Sequence, residues 1–171
     1  MLKPLSENFR GLISVSGPTK SGKSHLSEYL IKDQATITYI ATSKPRLNDP
    51  EWSKRINVHK NRRPNNWKLV EHPSDICQTI YAAAPSESIL IDSLGGLVEQ
   101  RIMENDEMWD KFQSKFINCL TNNCFIIIVV IEETGWGIVP STKIGHLFRE
   151  RLSKLSRLVC HNSKQKWLAV N

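Results

Sequence analysis

The chain has 171 residues, 40% of them hydrophobic and 23% charged, which is ordinary for a soluble globular protein and long enough for one real core. The net charge of +6 suits a protein that binds polyphosphates, but Lys and Arg are scattered apart from Lys60-Asn61-Arg62-Arg63, and no recognised motif supports nucleic-acid binding. Cys77, Cys119, Cys124 and Cys160 form no C-x-x-C pair and no zinc spacing, so they read as reduced thiols of a cytoplasmic protein. Met1 to Arg10 has no signal-peptide apolar core, and the longest apolar run, Phe125 to Ile131, is far below the about 20 residues that span a bilayer, so no membrane partner is expected.

Residues 1–10 read as a flexible leader, and residues 11–171 as a single nucleotide-binding domain. Gly11-Leu12-Ile13-Ser14-Val15-Ser16 is an apolar run fit for a buried strand. It leads into Gly17-Pro18-Thr19-Lys20-Ser21-Gly22-Lys23-Ser24, the G-x-x-x-x-G-K-S phosphate-binding loop, and then into a helix carrying Leu26, Tyr29 and Leu30 at helical spacing. Each residue type has a physical task. Gly17 and Gly22 let the backbone turn close to an anion, and successive N–H groups with the helix N-terminus point at phosphate. Lys23 adds a full charge on the β/γ-phosphates, and Ser24 offers a hydroxyl to Mg²⁺.

Thr36 to Ala41 is β-branched and aromatic, hence a second strand, and Thr42-Ser43 open a polar loop. Asp49 and Pro50 suit the cap and first position of a helix that carries Trp52, Arg55, Ile56 and His59 and breaks before Pro64. Residues 67–71 alternate as a half-exposed strand, and Pro73-Ser74-Asp75 starts a short helix to about Ala83. Ser88 to Asp92 is an apolar strand ending in an acid. Residues 97–122 are expected to be helical with a break near Asn105-Asp106. Phe125 to Ile131 reads as the central strand, flanked by Cys119 and Cys124 as small buried hydrophobes. A Gly-rich loop through Pro140, a helix over 141–160 capped by Ser141 or Thr142, and a strand over 167–170 complete the chain. Strands alternating with helices predict an α/β fold, a mostly parallel sheet flanked by helices, of the P-loop NTP-binding kind.

In such a sheet ligands sit beyond the carboxyl ends of the strands. That rule gathers residues 17–24, 42–44, the turn at Asp92 and residues 132–140. Asp92 has the pattern of a Walker B acid for Mg²⁺, or alternatively of a helix cap. Glu133 takes the equivalent place after the central strand, and Glu132 is expected to point the other way. His59, followed by Lys60, Arg62 and Arg63, is a candidate covalent nucleophile toward phosphorus; the alternative is a structural or solvated histidine. Glu71 is a candidate for a nucleoside hydroxyl.

Together these segments resemble the bifunctional adenosylcobinamide kinase / adenosylcobinamide-phosphate guanylyltransferase family. The resemblance rests on G-x-x-x-S-G-K-S at 17–24, Tyr39-Ile40-Ala41-Thr42-Ser43, Arg55-Ile56-x-x-His59-Lys60-x-x-Arg63-Pro64-x-x-Trp67, Asp92 after its strand, and Glu133-Thr134-Gly135-Trp136-Gly137-Ile138-Val139-Pro140. The order is the family's over nearly the whole chain. The resemblance implies trimeric α/β enzymes of the cobalamin pathway, which phosphorylate the aminopropanol hydroxyl of adenosylcobinamide and then transfer GMP from GTP to that phosphate through a guanylylated histidine. His59 matches that histidine. Gly17, Pro18, Thr19, Lys20, Ser21, Gly22, Lys23, Ser24, Ala41, Thr42, Ser43, Lys60, Asn61, Arg62, Arg63, Glu71 and Asp92 match its GTP-binding positions. The sequence departs at Ile131-Glu132-Glu133, where relatives often read T-N-E, and at Leu155-Ser156-Arg157, where they tend to read V-N-Q.

The expected ligands are therefore GTP, ATP and Mg²⁺, with adenosylcobinamide and its phosphate as acceptors and a homotrimer as the assembly. Two rival readings differ in chemistry. A P-loop kinase for another small alcohol would depend on nucleotide without forming protein-bound GMP. A non-catalytic nucleotide-binding module would bind GTP without transfer.

Overall fold

The computed structural model describes residues 3–6, 8–45, 49–50 and 63–170. Six strands form one sheet: β1 (Gly11–Gly17), β2 (Thr36–Ala41), β3 (Lys68–Glu71), β4 (Glu87–Asp92), β5 (Ile126–Glu132) and β6 (Gln165–Leu168). Their order across the sheet is β3-β2-β4-β5-β1-β6, and every pair is parallel. The helices are α1 (Lys23–Ile31), α2 (Ile76–Tyr81), α3 (Leu94–Gln100), α4 (Asp106–Thr121) and α5 (Lys143–Asn162). The expected α/β fold with a parallel, helix-flanked sheet is what is observed.

The run Ile126-Ile127-Ile128-Val129-Val130-Ile131 is buried throughout because β5 is central and covered on both faces. Its alternate residues feed two cores. Ile127, Val129 and Ile131 join Ile89, Ile91, Leu97, Phe116 and Leu155 on the α3–α4–α5 side. Ile126, Ile128 and Val130 join Ile13, Val15, Tyr39, Leu90, Leu30 and Ile31 on the α1 side. Leu5, within the expected leader, belongs to this second core and donates its N–H to Leu30 O at 2.8 Å, so the leader is pinned at that point.

Local chemistry sets the helix ends. Asp75 caps α2 by accepting from the N–H groups of Cys77 and Gln78, Asn105 caps α4 through Met108 N–H, and Thr142 caps α5 through Gly145 N–H. The expected break at Asn105-Asp106 is therefore real, while the helix before it begins earlier, at Leu94. The last strand begins and ends before the expected residues 167–170. Helix residues beyond Pro50, including Trp52, Arg55, Ile56 and His59, lie outside the described residues. The cysteines are free thiols, but Cys124 is exposed, contrary to its expected burial: it lies in the bend between α4 and β5, ahead of buried Phe125. Among the described residues no helix is long and apolar enough to cross a membrane.

Arg151 joins the helical layer. Its guanidinium, nearly buried, donates to the carbonyls of Arg101, Ile102 and Glu104 and to Asp106 Oδ1, at 2.7–3.3 Å, and lies over the Trp109 ring. Arg101 O also accepts the Glu104 N–H at 3.0 Å, whereas the carbonyls of Ile102 and Glu104, past the end of α3, are met by this side chain. Asp106 is exposed, so the ion pair itself adds little. Arg151→Ala should lower stability by about 3 kcal/mol through the orphaned carbonyls, read as a shift in urea midpoint at unchanged slope.

Candidate active site

The site is built where β1, β2 and β4 end. After β1 the chain passes through Pro18-Thr19-Lys20-Ser21 and enters α1 at Lys23. Gly22 caps the helix with φ 81, a left-handed conformation that a side chain would strain. A Cβ on Gly17 would stand 2.5 Å from the backbone oxygen of Ala169, so the chain just past β6 also requires glycine there. Lys23 is only 7% exposed, and its Nζ donates to Pro18 O at 3.0 Å, which holds the ammonium inside the turn. Ser24 follows on the first helical turn, half-buried.

Ala41 pairs with Asp92 on one side and with Glu71 on the other, so β2, β3 and β4 end level. Thr42 N–H donates to Asp92 O at 3.0 Å, Thr42 Oγ1 donates to Ser93 O at 2.6 Å, and Ser93 N–H donates back to Thr42 Oγ1 at 2.9 Å. The Thr42–Ser43 loop and the Asp92 turn are thus one unit. Asp92 Oδ2 accepts from the Tyr39 hydroxyl at 2.5 Å. Burial, reinforced by the Asp92 charge, holds the Tyr39 phenol well above its ordinary range, so it stays a donor. The Arg63 guanidinium stacks 4.2 Å from the Tyr39 ring centroid.

Glu132 corrects the expected geometry. It continues the alternation of Ile126, Ile128 and Val130, which is also the side of Leu90 and Asp92. Its carboxylate reaches the Asp92 turn, accepting from Ser93 Oγ and from Gly95 N–H at 2.8 Å. Glu133 instead turns onto its own loop, accepting from Gly135 N–H at 2.7 Å, while its N–H donates to Gly17 O at 3.0 Å. A Cβ on Gly95 would meet the Glu132 carboxylate at 2.7 Å, and one on Gly96 would meet Thr42 Oγ1 at 2.3 Å and Ser43 N at 2.7 Å. The Gly95-Gly96 pair therefore makes room for both loops. Counting alternation forward from Val130 finds Glu132 only once β5 is known to run through it; nothing in the sequence alone marked the Tyr39 or Ser93 contacts.

The structure brings together residues 17–24, 41–43, 92 and 132, with Glu71 exposed at the end of β3 and Arg63 beside Tyr39. His59, Lys60, Asn61 and Arg62 lie outside the described residues. Among the described residues no three His, Cys, Asp or Glu side chains form a metal cluster. One hydroxyl, from Ser24, and one carboxylate, from Asp92, are hard oxygen donors that suit Mg²⁺, an ion that keeps several waters and shares the nucleotide's phosphates.

The family model for cobinamide kinase / cobinamide phosphate guanyltransferase, CobU, matches residues 13–171. This chain belongs to the CobU family. It is accordingly a transferase of cobalamin biosynthesis. The bifunctional adenosylcobalamin biosynthesis protein CobU of Salmonella typhimurium is 31% identical over 94% of this chain and 96% of its own length. Its Escherichia coli counterpart is 28% identical over the same shares, and the CobP protein of Pseudomonas aeruginosa is 27% identical over 91% of each chain. Among solved structures, the P4 protein of bacteriophage phi6 in complex with ADP matches with a TM-score of 0.49 and 11% identity, over 99% of this chain and 56% of that one.

In this CobU-family chain, burial pushes the Glu132 carboxyl up, and the nearby Asp92 charge adds to it, against the opposing donors Ser93 and Gly95. A group raised on folding contributes stability below its unfolded pKa and loses it as pH rises through the folded value. Unfolding free energies of the metal-free protein and of Glu132→Gln should therefore diverge from pH 4 upward. The wild type should lose ground to the variant as pH approaches neutrality; parallel curves would show that Glu132 is not raised.

Proposed function

We propose that this chain phosphorylates the aminopropanol hydroxyl of adenosylcobinamide with ATP or GTP, and then transfers GMP from GTP to that phosphate through His59. The observation that carries the reading is the buried Lys23 held inside a phosphate loop on the same carboxyl edge of the sheet as Asp92 and Thr42–Ser43. Family membership supplies the acceptor class.

In the kinase step, loop amides at Gly17 to Ser24 and the Lys23 ammonium stabilise charge on the transferring phosphoryl group. Bound Mg²⁺ would neutralise the phosphates, with Ser24 and Asp92 as its protein oxygens. In the second step an imidazole nitrogen of His59 attacks the α-phosphorus of GTP and pyrophosphate leaves. The acceptor's phosphate oxygen then displaces the histidine from phosphorus, giving adenosylcobinamide-GDP. Lys60, Asn61, Arg62 and Arg63 would surround the phosphates, with Glu71 at a nucleoside hydroxyl. The histidine's role rests on the sequence motif.

GTP labelled at the α-phosphate should leave acid-labile, base-stable label on the wild type and none on His59→Ala, because protonating the bonded nitrogen makes imidazole a good leaving group. His59→Ala should still phosphorylate adenosylcobinamide; unchanged guanylyl transfer in that folded variant would remove the covalent role. Lys23→Ala should reduce kinase turnover about 10²–10³-fold, matching about 3–4 kcal/mol of lost charge stabilisation, with the melting temperature retained.

The assembly we propose is a homotrimer with sites near subunit boundaries. Support comes from the cationic segment Lys60–Arg63, which needs an anion between its charges, and from the loop of Trp136, Ile138 and Val139, which is 58–97% exposed beside the phosphate loop and suits a covered apolar face. Sedimentation at tens of micromolar should give the trimer mass; a fully active monomer would dismiss it.

A further inference from the structure

Tyr39 is 3% exposed on β2, yet its hydroxyl is not lost in the core: it donates to Asp92 Oδ2 at 2.5 Å. The other side of the same ring carries the Arg63 guanidinium and is tilted against Trp67, with centroids 6.4 Å apart. A cleft of about 190 Å³ opens here, lined by Tyr39, Arg63, Pro64, Asn65, Trp67 and Leu69. For filling space alone, phenylalanine would serve; a phenol at this depth needs an acceptor, and the acceptor is the acid that ends β4. The terminal torsion of an aspartate is broad, so the oxygen it presents to a ligand depends on what holds the other. Tyr39 holds one. Thr42 and Glu132 hold the same turn through Ser93 and Gly95.

We propose that Tyr39 is a positioning residue for the nucleotide site, its hydroxyl orienting the Asp92 carboxylate toward the magnesium nucleotide and its ring seating the Arg63 guanidinium beside it. The inference rests on the nucleotide reading of the phosphate loop. It gives one buried side chain control over two groups that approach the ligand from the end of β4 and from the segment before β3. The hydroxyl and the ring are separable: Tyr39→Phe removes only the first, Tyr39→Leu both.

The test is equilibrium binding of a fluorescent GTP analogue, with Mg²⁺ and in EDTA, to the full-length wild type, both Tyr39 variants, Asp92→Asn and the Tyr39→Phe/Asp92→Asn pair, with melting temperatures in parallel. Wild type should bind more tightly with Mg²⁺. Tyr39→Phe should keep its affinity in EDTA and lose about tenfold of the Mg²⁺ gain, the scale of one charge-assisted hydrogen bond. Tyr39→Leu should weaken binding in EDTA as well, through Arg63. On the Asp92→Asn background the Phe substitution should change nothing further, since two groups acting through one contact are not additive. A Tyr39→Phe protein with the full Mg²⁺ gain overturns the proposal, as does an equal additional loss on the Asp92→Asn background, which is what a packing defect would give. Wild type that binds the analogue with no Mg²⁺ gain overturns the Asp92 assignment and the proposal together. Wild type that does not bind it at all overturns the nucleotide reading itself.

Discussion

Every strand in the sheet runs the same way, and the site follows from that constraint. Parallel strands place all their carboxyl ends on one edge, and each return must cross a face of the sheet. The register then sets which residues meet. Gly17 lies opposite Glu132, and Ala41 lies between Asp92 and Glu71. Groups far apart in sequence emerge level, so the phosphate loop, the Thr42 loop and the Asp92 turn need only short side-chain bonds to become one surface.

Those bonds answer a backbone problem. Beyond the ends of the strands the ladder stops, and N–H and C=O groups close to the core need other partners. Thr42 takes both polar groups of Ser93, Glu132 takes the Gly95 N–H, and Gln100 Nε2 donates to Thr42 O at 2.6 Å. Ligand-facing loops are usually the mobile parts of an α/β domain. Here the turn bearing Asp92 is tied to the ends of β2 and β5, and the carboxylate is held by Tyr39. Preorganisation of this kind matters for phosphoryl transfer, where positioning and charge stabilisation supply most of the catalysis.

The helical layer shows the same economy. Phe112 and Phe116 stack with centroids 5.6 Å apart, and Arg101 lies over Phe112 while Arg151 lies over Trp109. The cations close the polar ends of an otherwise apolar core. They also fix where α3 ends and α4 begins, which places the amino end of α3 against Glu132.

The sequence alone determined the features that depend on neighbours along the chain. The G-x-x-x-x-G-K-S spacing specified strand, turn and helix because only that order points successive amides at phosphate, and Lys23 and Ser24 fell where the motif put them. The uninterrupted run from Phe125 to Ile131 identified a strand covered on both faces, and the break at Asn105-Asp106 and a start at Ser141 or Thr142 were legible because a cap acts within three residues. Contacts between strands were decided only by the tertiary structure. Which of Glu132 and Glu133 faces the Asp92 turn depended on where β5 ends, and a one-residue difference there reverses the face a side chain takes. Leu5 looked idle in a polar segment because the surface it packs on, beside Leu30, is made by another element. Tyr39 read as an ordinary strand aromatic, since its partner Asp92 lies 53 positions away in the chain and meets it only across the parallel register of β2 and β4.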